Sequence, residues 1–192
     1  SEHAANLLSQ LQEALKNERL ELAFQPIVSV VGGDHEQYQT LVRLRDGSGQ
    51  LHTAAEIVPL AERAGLVHEI DRRVMSRAIA ILGEQPVGGR RARLFVPQSA
   101  RSLGQEGYAH WLLDSLKKLD IAGDLLVVDV RLSEAQLHSM IVREFCQQMM
   151  AAGVRLCLSQ FQSNPEADAL LSQLPLSYVR LSSHYAHKID QQ

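Results

Sequence analysis

Leu125-Leu126-Val127-Val128-Asp129-Val130 is nearly all apolar. A strand buried on both faces reads this way, because it has no solvent side on which polar residues could alternate. The flanking sequence keeps switching between helical and extended patterns. Downstream, Ser133 opens a helical stretch to about Ala152, Gly153 closes it, and Arg155–Leu158 reads as a strand. Asn164 is placed to cap a short helix to Leu174, and Tyr178–Leu181 reads as the last strand. Upstream, Tyr108–Leu119 is an amphipathic helix, Arg93–Val96 a short strand and Pro86–Gly89 a loop. His68–Gly83 carries Ile70, Val74, Ala78, Ile79 and Leu82 at helical spacing. Strands alternating with helices imply a parallel sheet with helical crossovers.

The start of the chain differs. Ala4–Lys16 places Ala4, Leu7, Leu8, Leu11 and Leu15 on one helical face. Leu20–Val31 and Tyr38–Leu44 read as strands, with Gly32-Gly33-Asp34 as a turn between them, so the sheet opens on a hairpin. Asp46-Gly47-Ser48-Gly49 is a second turn. Thr53 is suited to cap a helix from Ala54 to about Arg63, because its hydroxyl can accept from an orphan amide and Glu56 follows three residues later.

The 192 residues imply one domain, spanning 1–192, with room for a substantial core. Nineteen Lys+Arg against 22 Asp+Glu give a formal charge of −3, which argues against a nucleic-acid polymer or an anionic membrane as the general partner. No apolar run reaches the ~18 residues of a membrane span, and a cytoplasmic chain is expected. Cys146 and Cys157 lie in apolar contexts and read as buried thiols, not a disulfide framework. The eight histidines are scattered; only His184 and His187 have a helical metal-ligand spacing, without a third ligand. Ser115-Leu116-Lys117-Lys118 matches a Ser-x-x-Lys nucleophile pattern, but lies on an amphipathic helix where a solvated face explains it. Neither a metal centre nor a cofactor is expected.

In a parallel α/β fold, chemistry is placed at the carboxyl ends of the strands. Here those positions fall near Arg43 and Arg45, after Val96, around Asp129–Arg131, at Ser159-Gln160 and at Ser182-Ser183. They hold few acids.

An ordered series of short blocks carries a resemblance. It comprises Phe24-Gln25-Pro26-Ile27-Val28, Leu41-Val42-Arg43-Leu44, Ile57-Val58-Pro59-Leu60-Ala61-Glu62 with Gly65-Leu66-Val67, and Ile70-Asp71. It continues through Phe95-Val96, Ser99-Ala100-Arg101-Ser102-Leu103, Gly153-Val154-Arg155-Leu156 with Phe161, and Leu174-Pro175 with Tyr178-Val179-Arg180-Leu181. Together they resemble the EAL domain family, which hydrolyses cyclic di-GMP in bacterial signalling. The resemblance implies an α/β fold of the modified TIM-barrel type with an antiparallel first strand. The chain ends near the sixth family strand, so it also implies that the last two strands are lacking. Either the chain is a fragment or the barrel is incomplete, and an open sheet would call for a partner or self-association.

Active family members hold two divalent metals in a carboxylate cage, which suits hard cations that activate water. By resemblance the cage positions here are Gln39, Pro97, Asp129, Leu132, Ser159, Gln160, Arg180 and Ser182, with one carboxylate among them. One Asp cannot hold two metals, so no catalytic residues are expected and the domain reads as a degenerate, inactive phosphodiesterase. Ala54 and Ile57 stand where the family usually has Pro and Phe, which alters the rim of the pocket.

The ligand contacts fare better. The resemblance places Gln25, Leu41, Arg43, Asp71 and Arg180 in contact with the dinucleotide. Arg43 suits a phosphate, Asp71 a guanine edge, and Arg180 keeps a positive charge where the family has Lys. Each also has a plain structural use: Arg43 in an ion pair, Asp71 as an early-helix acid, Gln25-Pro26 as a strand terminator. The expected function is a non-catalytic cyclic di-GMP receptor. The alternatives are an interaction scaffold that binds no nucleotide, with Ser1–Lys16 or Tyr108–Leu119 and Trp111 as its surface, and, more remotely, an active phosphodiesterase.

Overall fold

In the computed structural model, residues 1–29, 35–86, 91–175, 178–181 and 185–188 are described. Helix α1 (Glu2–Lys16) starts at Ser1, whose hydroxyl accepts from the Ala4 amide at 3.2 Å, and buries Leu7, Leu11, Ala14 and Leu15. The strands β1 (Glu21–Pro26), β2 (Val28–Ser29), β3 (Glu36–Arg45) and β4 (Leu51–Thr53) follow. β1 pairs antiparallel with β3 over its whole length, so the opening hairpin is present, but the long strand expected at its start is divided at Ile27. The Gly32-Gly33-Asp34 turn lies outside the described residues.

Helices α2 (Ala54–Ala64) and α3 (Val67–Gly83) then lead to β5 (Ala92–Pro97). The rest runs α4 (Ala100–Leu103), α5 (Tyr108–Lys118), a 3-10 turn at Gly123–Leu125, β6 (Leu126–Arg131), α6 (Leu132–Leu137), α7 (Ser139–Met150), β7 (Arg155–Ser159), α8 (Pro165–Gln173), β8 (Tyr178–Val179) and β9 (Tyr185–Lys188). Strands β3, β5, β6, β7 and β8 are parallel neighbours in that order, as the helical crossovers require.

Alternation along the strands separates two cores. Val42 and Leu44, Leu94 and Val96, Val128 and Val130, and Leu156 and Leu158 point to the helix-covered face. The intervening residues point to the inside of the curved sheet. There Ile27, Phe95, Val127, Cys157 and Tyr178 form an apolar layer, with the Phe95 and Tyr178 rings edge to face at 5.1 Å. Both thiols are buried and unpaired, as the sequence indicates.

Several local expectations are corrected. Thr53 makes no side-chain capping bond, and the Glu56 carboxylate is instead engaged with His52 at 2.8 Å. The single helix expected from Ser133 to Ala152 is broken at His138 into α6 and α7, leaving Leu137 and Met140 exposed. Asn164 does cap α8, accepting from the Ala167 amide at 2.8 Å. The strand at Tyr178 ends at Val179, and a further strand, β9, follows it. It lies antiparallel to β8 and parallel to β2. The sheet therefore extends past the strand at which the sequence reading stopped. It is still not a closed ladder: its two ends are β1 and β2, separated in the chain only by Ile27. Among the described residues no helix is long and apolar enough to cross a membrane.

Candidate functional site

On the inward face of β3, Gln39, Leu41 and Arg43 succeed one another towards its carboxyl end. Gln39 is opposite Gln25 of β1, which places those two side chains on the same face, and Arg43 is opposite Glu21. Gln25, Leu41 and Arg43 are each half-buried. Arg45 next to them is committed, donating to Glu21 at 3.1 Å and to the Gly49 carbonyl at 3.0 Å. Arg43 makes no hydrogen bond or ion pair among the described residues, so its expected ion-pair use is not seen there.

Arg180, just after β8, lies inside the sheet. Its Nη1 donates to the Gln39 side-chain oxygen and, at 2.7 Å, to Asp129 Oδ2. All three side chains are buried. Burial pushes the Asp129 carboxyl upward, and the Arg180 guanidinium opposes that shift. Among the described residues Asp129 is the sole buried carboxylate on a strand. The donor set does not fit a pair of divalent metals. It offers one acid, and the cation already held there is the guanidinium. Among the described residues no group of three or more His, Cys, Asp or Glu is arranged around a common point.

Asp71 lies apart, on α3 against the loop that leaves β5. Its Oδ2 accepts from the Ser99 amide at 2.9 Å and the Ser102 hydroxyl at 2.5 Å. Its backbone carbonyl accepts from Gln98 Nε2 at 3.0 Å. No described residue donates to Oδ1. Burial pushes the Asp71 carboxyl up to about 6, against the hydrogen bonds from Ser102 and Ser99 and with help from the Glu134 charge. The structure thus brings Gln25, Leu41 and Arg43 to one surface, sets Arg180 beneath it against Gln39, and places Asp71 at a neighbouring strand exit. Ser182 and Ser183 lie outside the described residues, as does His184. His187 falls in β9.

Two groups escaped the sequence reading. His52, one of the scattered histidines, is 2% exposed and clamped between Asp46 Oδ2 and Glu56 Oε2, each at 2.8 Å. The available signal was its position in a β-strand pattern with an acid on each side. His68 hydrogen-bonds to Ser102, and no local spacing announced a contact across 34 positions.

The EAL domain family model matches residues 8–192. The chain belongs to the EAL domain family. Solved EAL domains show the same architecture. That of FimX from Pseudomonas aeruginosa, bound to cyclic di-GMP, is 29% identical with a TM-score of 0.82, covering 91% of this chain and 70% of that one. The Xanthomonas citri FimX EAL domain, in complex with cyclic di-GMP, is 26% identical with a TM-score of 0.84, covering 93% and 69%. Among curated relatives, the cyclic di-GMP phosphodiesterase NbdA of Pseudomonas aeruginosa is 25% identical over 177 residues, which is 92% of this chain but 23% of that protein. This EAL domain spans about a quarter of the length of such relatives.

Proposed function

We propose that this EAL domain is a non-catalytic receptor for cyclic di-GMP, acting in the bacterial cytoplasm. The observation that carries the reading is the Arg180–Asp129–Gln39 contact. A family that hydrolyses its ligand needs a cage of acids around metal; here the one strand carboxylate at the floor is neutralised by a tethered guanidinium. An anionic dinucleotide above it would meet the Arg43 charge at the strand end, over a floor whose acid the Arg180 guanidinium keeps from repelling it. Gln25 and Leu41 complete the surface on β1 and β3, and Asp71 offers an acceptor at the neighbouring strand exit. The FimX domains bound to cyclic di-GMP support this choice of ligand.

Isothermal titration of the chain with cyclic di-GMP, first in EDTA and then with Mg²⁺, tests it. Micromolar or tighter binding in EDTA, with no linear dinucleotide released on long incubation, is the expected result. No heat from a folded sample in either condition would sink the receptor reading, and metal-dependent turnover would sink the non-catalytic part.

A second reading has its own observation. Leu137 and Met140 flank the α6–α7 break at 77% and 80% exposure, and Met150 ends α7 at 62%. Exposed apolar side chains on one helical pair favour a protein-contact role, which a nucleotide-free scaffold would also have.

A further inference from the structure

Three side chains join the surface to buried Asp71. Gln105 Nε2 stands 3.3 Å from His68 Nε2, His68 Nδ1 stands 2.9 Å from Ser102 Oγ, and Ser102 Oγ donates to Asp71 Oδ2. A serine hydroxyl has one proton. Given to Asp71, it cannot also be given to His68, so the close Nδ1–Oγ contact requires His68 to be the donor there. His68 then carries its proton on Nδ1, and Nε2 is free to accept from the Gln105 amide. Every donor in the chain points the same way, towards the carboxylate.

We infer that Gln105, His68, Ser102 and Asp71 form a directional hydrogen-bond wire, in which Ser102 and His68 are positioning residues that fix the charge of Asp71. When Asp71 takes up a proton it becomes a donor to Ser102. The hydroxyl must then turn to His68 Nδ1, and the imidazole must move its proton to Nε2. No bond between heavy atoms changes: Asp71 gains one proton from solvent, the imidazole gives up its Nδ1 proton and takes one at Nε2 by exchange with solvent, and the Gln105 amide turns so that its oxygen accepts from Nε2. The other groups facing Asp71 do not substitute for the wire. Glu134 on α6 accepts from Ser99 Oγ at 3.0 Å and adds negative charge. Tyr108 on α5 is engaged with Gln98, and Arg72, next in α3, lies 4.3 Å from the centre of the Trp111 ring.

Asp71 titrates near pH 6, so the reversal falls within a range that cells visit. The consequence for ligand rests on the receptor reading above. With Asp71 ionised, Oδ1 is an anionic acceptor for a guanine edge; with Asp71 protonated, it is a weaker one. Affinity for cyclic di-GMP should therefore rise with pH.

The test uses the full chain labelled with ¹³C and ¹⁵N. Long-range proton–nitrogen spectra identify the His68 ring by its loss in His68→Ala. The expected pattern is protonated Nδ1 above the Asp71 midpoint, changing in step with the Asp71 carboxyl carbon as pH falls. A ring that holds its neutral proton on Nε2 at about pH 7.5 overturns the wire. In His68→Ala, which removes a partly exposed side chain, the Asp71 midpoint should move up by roughly half a pH unit or more, since the donor that holds the Ser102 hydroxyl turned towards the ionised carboxylate is lost. An unmoved midpoint overturns it. Titration with cyclic di-GMP at about pH 5.5 and 7.5 then reads the consequence. Roughly threefold to fourfold tighter binding at the higher pH is expected, the ratio of the ionised fractions for a midpoint near 6, and equal affinity overturns that step. Absence of binding at both overturns the receptor reading instead, and the ring nitrogens still judge the wire.

Discussion

Arg180 and Asp129, 51 positions apart in the chain, meet at 2.7 Å inside the sheet, with 5% and 4% of their side chains exposed. A buried pair of this kind is costly to break and cheap to replace, because one charge alone must be desolvated without compensation. Arg180→Met should destabilise the fold by about 3–5 kcal/mol, whereas Asp129→Leu with Arg180→Met should recover most of that loss. Urea unfolding of both variants checks this. A double variant no more stable than the single one would show that the pair's packing, not its charge, matters.

Arg43 has the opposite character. With no partner among the described residues, its removal deprives the fold of little. Arg43→Ala should leave the urea midpoint within about 0.5 kcal/mol of wild type and weaken cyclic di-GMP binding by roughly tenfold or more, the loss of a charge-assisted contact. Retained affinity in calorimetry would remove Arg43 from the site.

The His52 clamp gives the stability profile a defined shape. Hydrogen bonds to Glu56 and Asp46 hold the imidazole above its usual 6.5, so its contribution is complete below that pH and is lost as pH rises through the folded value. Glu56 and Asp46 are held below their ordinary 4.5 and 3.8, chiefly by the hydrogen bonds to His52 and Ser48 respectively. Their contribution is present above those values and fades as pH falls through the lowered ones. The clamp is thus strongest between about pH 4.5 and 6.5. His52→Gln should lose most stability near pH 5.5 and progressively less at alkaline pH, as thermal unfolding across the range would read.

Asp71 contributes with the other sign. Raised from 3.8 to about 6, it binds its proton more tightly folded than unfolded. Stability falls as pH rises from about 4 to 6, by on the order of 3 kcal/mol. Asp71→Asn keeps an acceptor for Ser99 and Ser102 without the charge. It should flatten this fall and match or exceed wild-type stability at pH 7.5; an unchanged slope would place the titration elsewhere.

Gly123 is held by close approach rather than by its dihedral angles. A Cβ there would stand 1.9 Å from the Ala152 carbonyl oxygen, where the turn before β6 meets the chain before β7. Gly123→Ala should cost roughly 3 kcal/mol or more. At Gly49, with φ of +87° and open space around it, the same change should cost only about 1 kcal/mol. Equal effects at the two sites in chemical denaturation would contradict the steric account.

Much of this was legible in the sequence because burial leaves a pattern. Leu126–Val130 could be little else than a strand between two packed faces, and Asn164 before Pro165 marks a helix start wherever it occurs. The break at His138 carries no glycine or proline to announce it. Tyr185–Lys188 is too short and too polar to read as a strand, and it forms because β8 and β2 are there to receive it. At the candidate site, the ordered blocks identified Gln25, Leu41 and Arg43 and placed them in strand patterns. They could not tell that Arg180 would turn onto Asp129, or that Ser102 would reach both His68 and Asp71. Such contacts depend on which strands become neighbours, and single positions hold no record of that.

The sheet's two ends lie on either side of Ile27, which gives folding a direction in time. Val28 can find Tyr185 only after 157 further residues have been made. A nascent chain must therefore hold β2 unpaired until β9 is made, while the parallel core from β3 to β8 assembles beside it. Joining β2 to β9 brings together segments of very large sequence separation, the slowest kind of contact to form. Until then β2 and β8 present bare edges, so a chain released before β9 would be prone to stick to others.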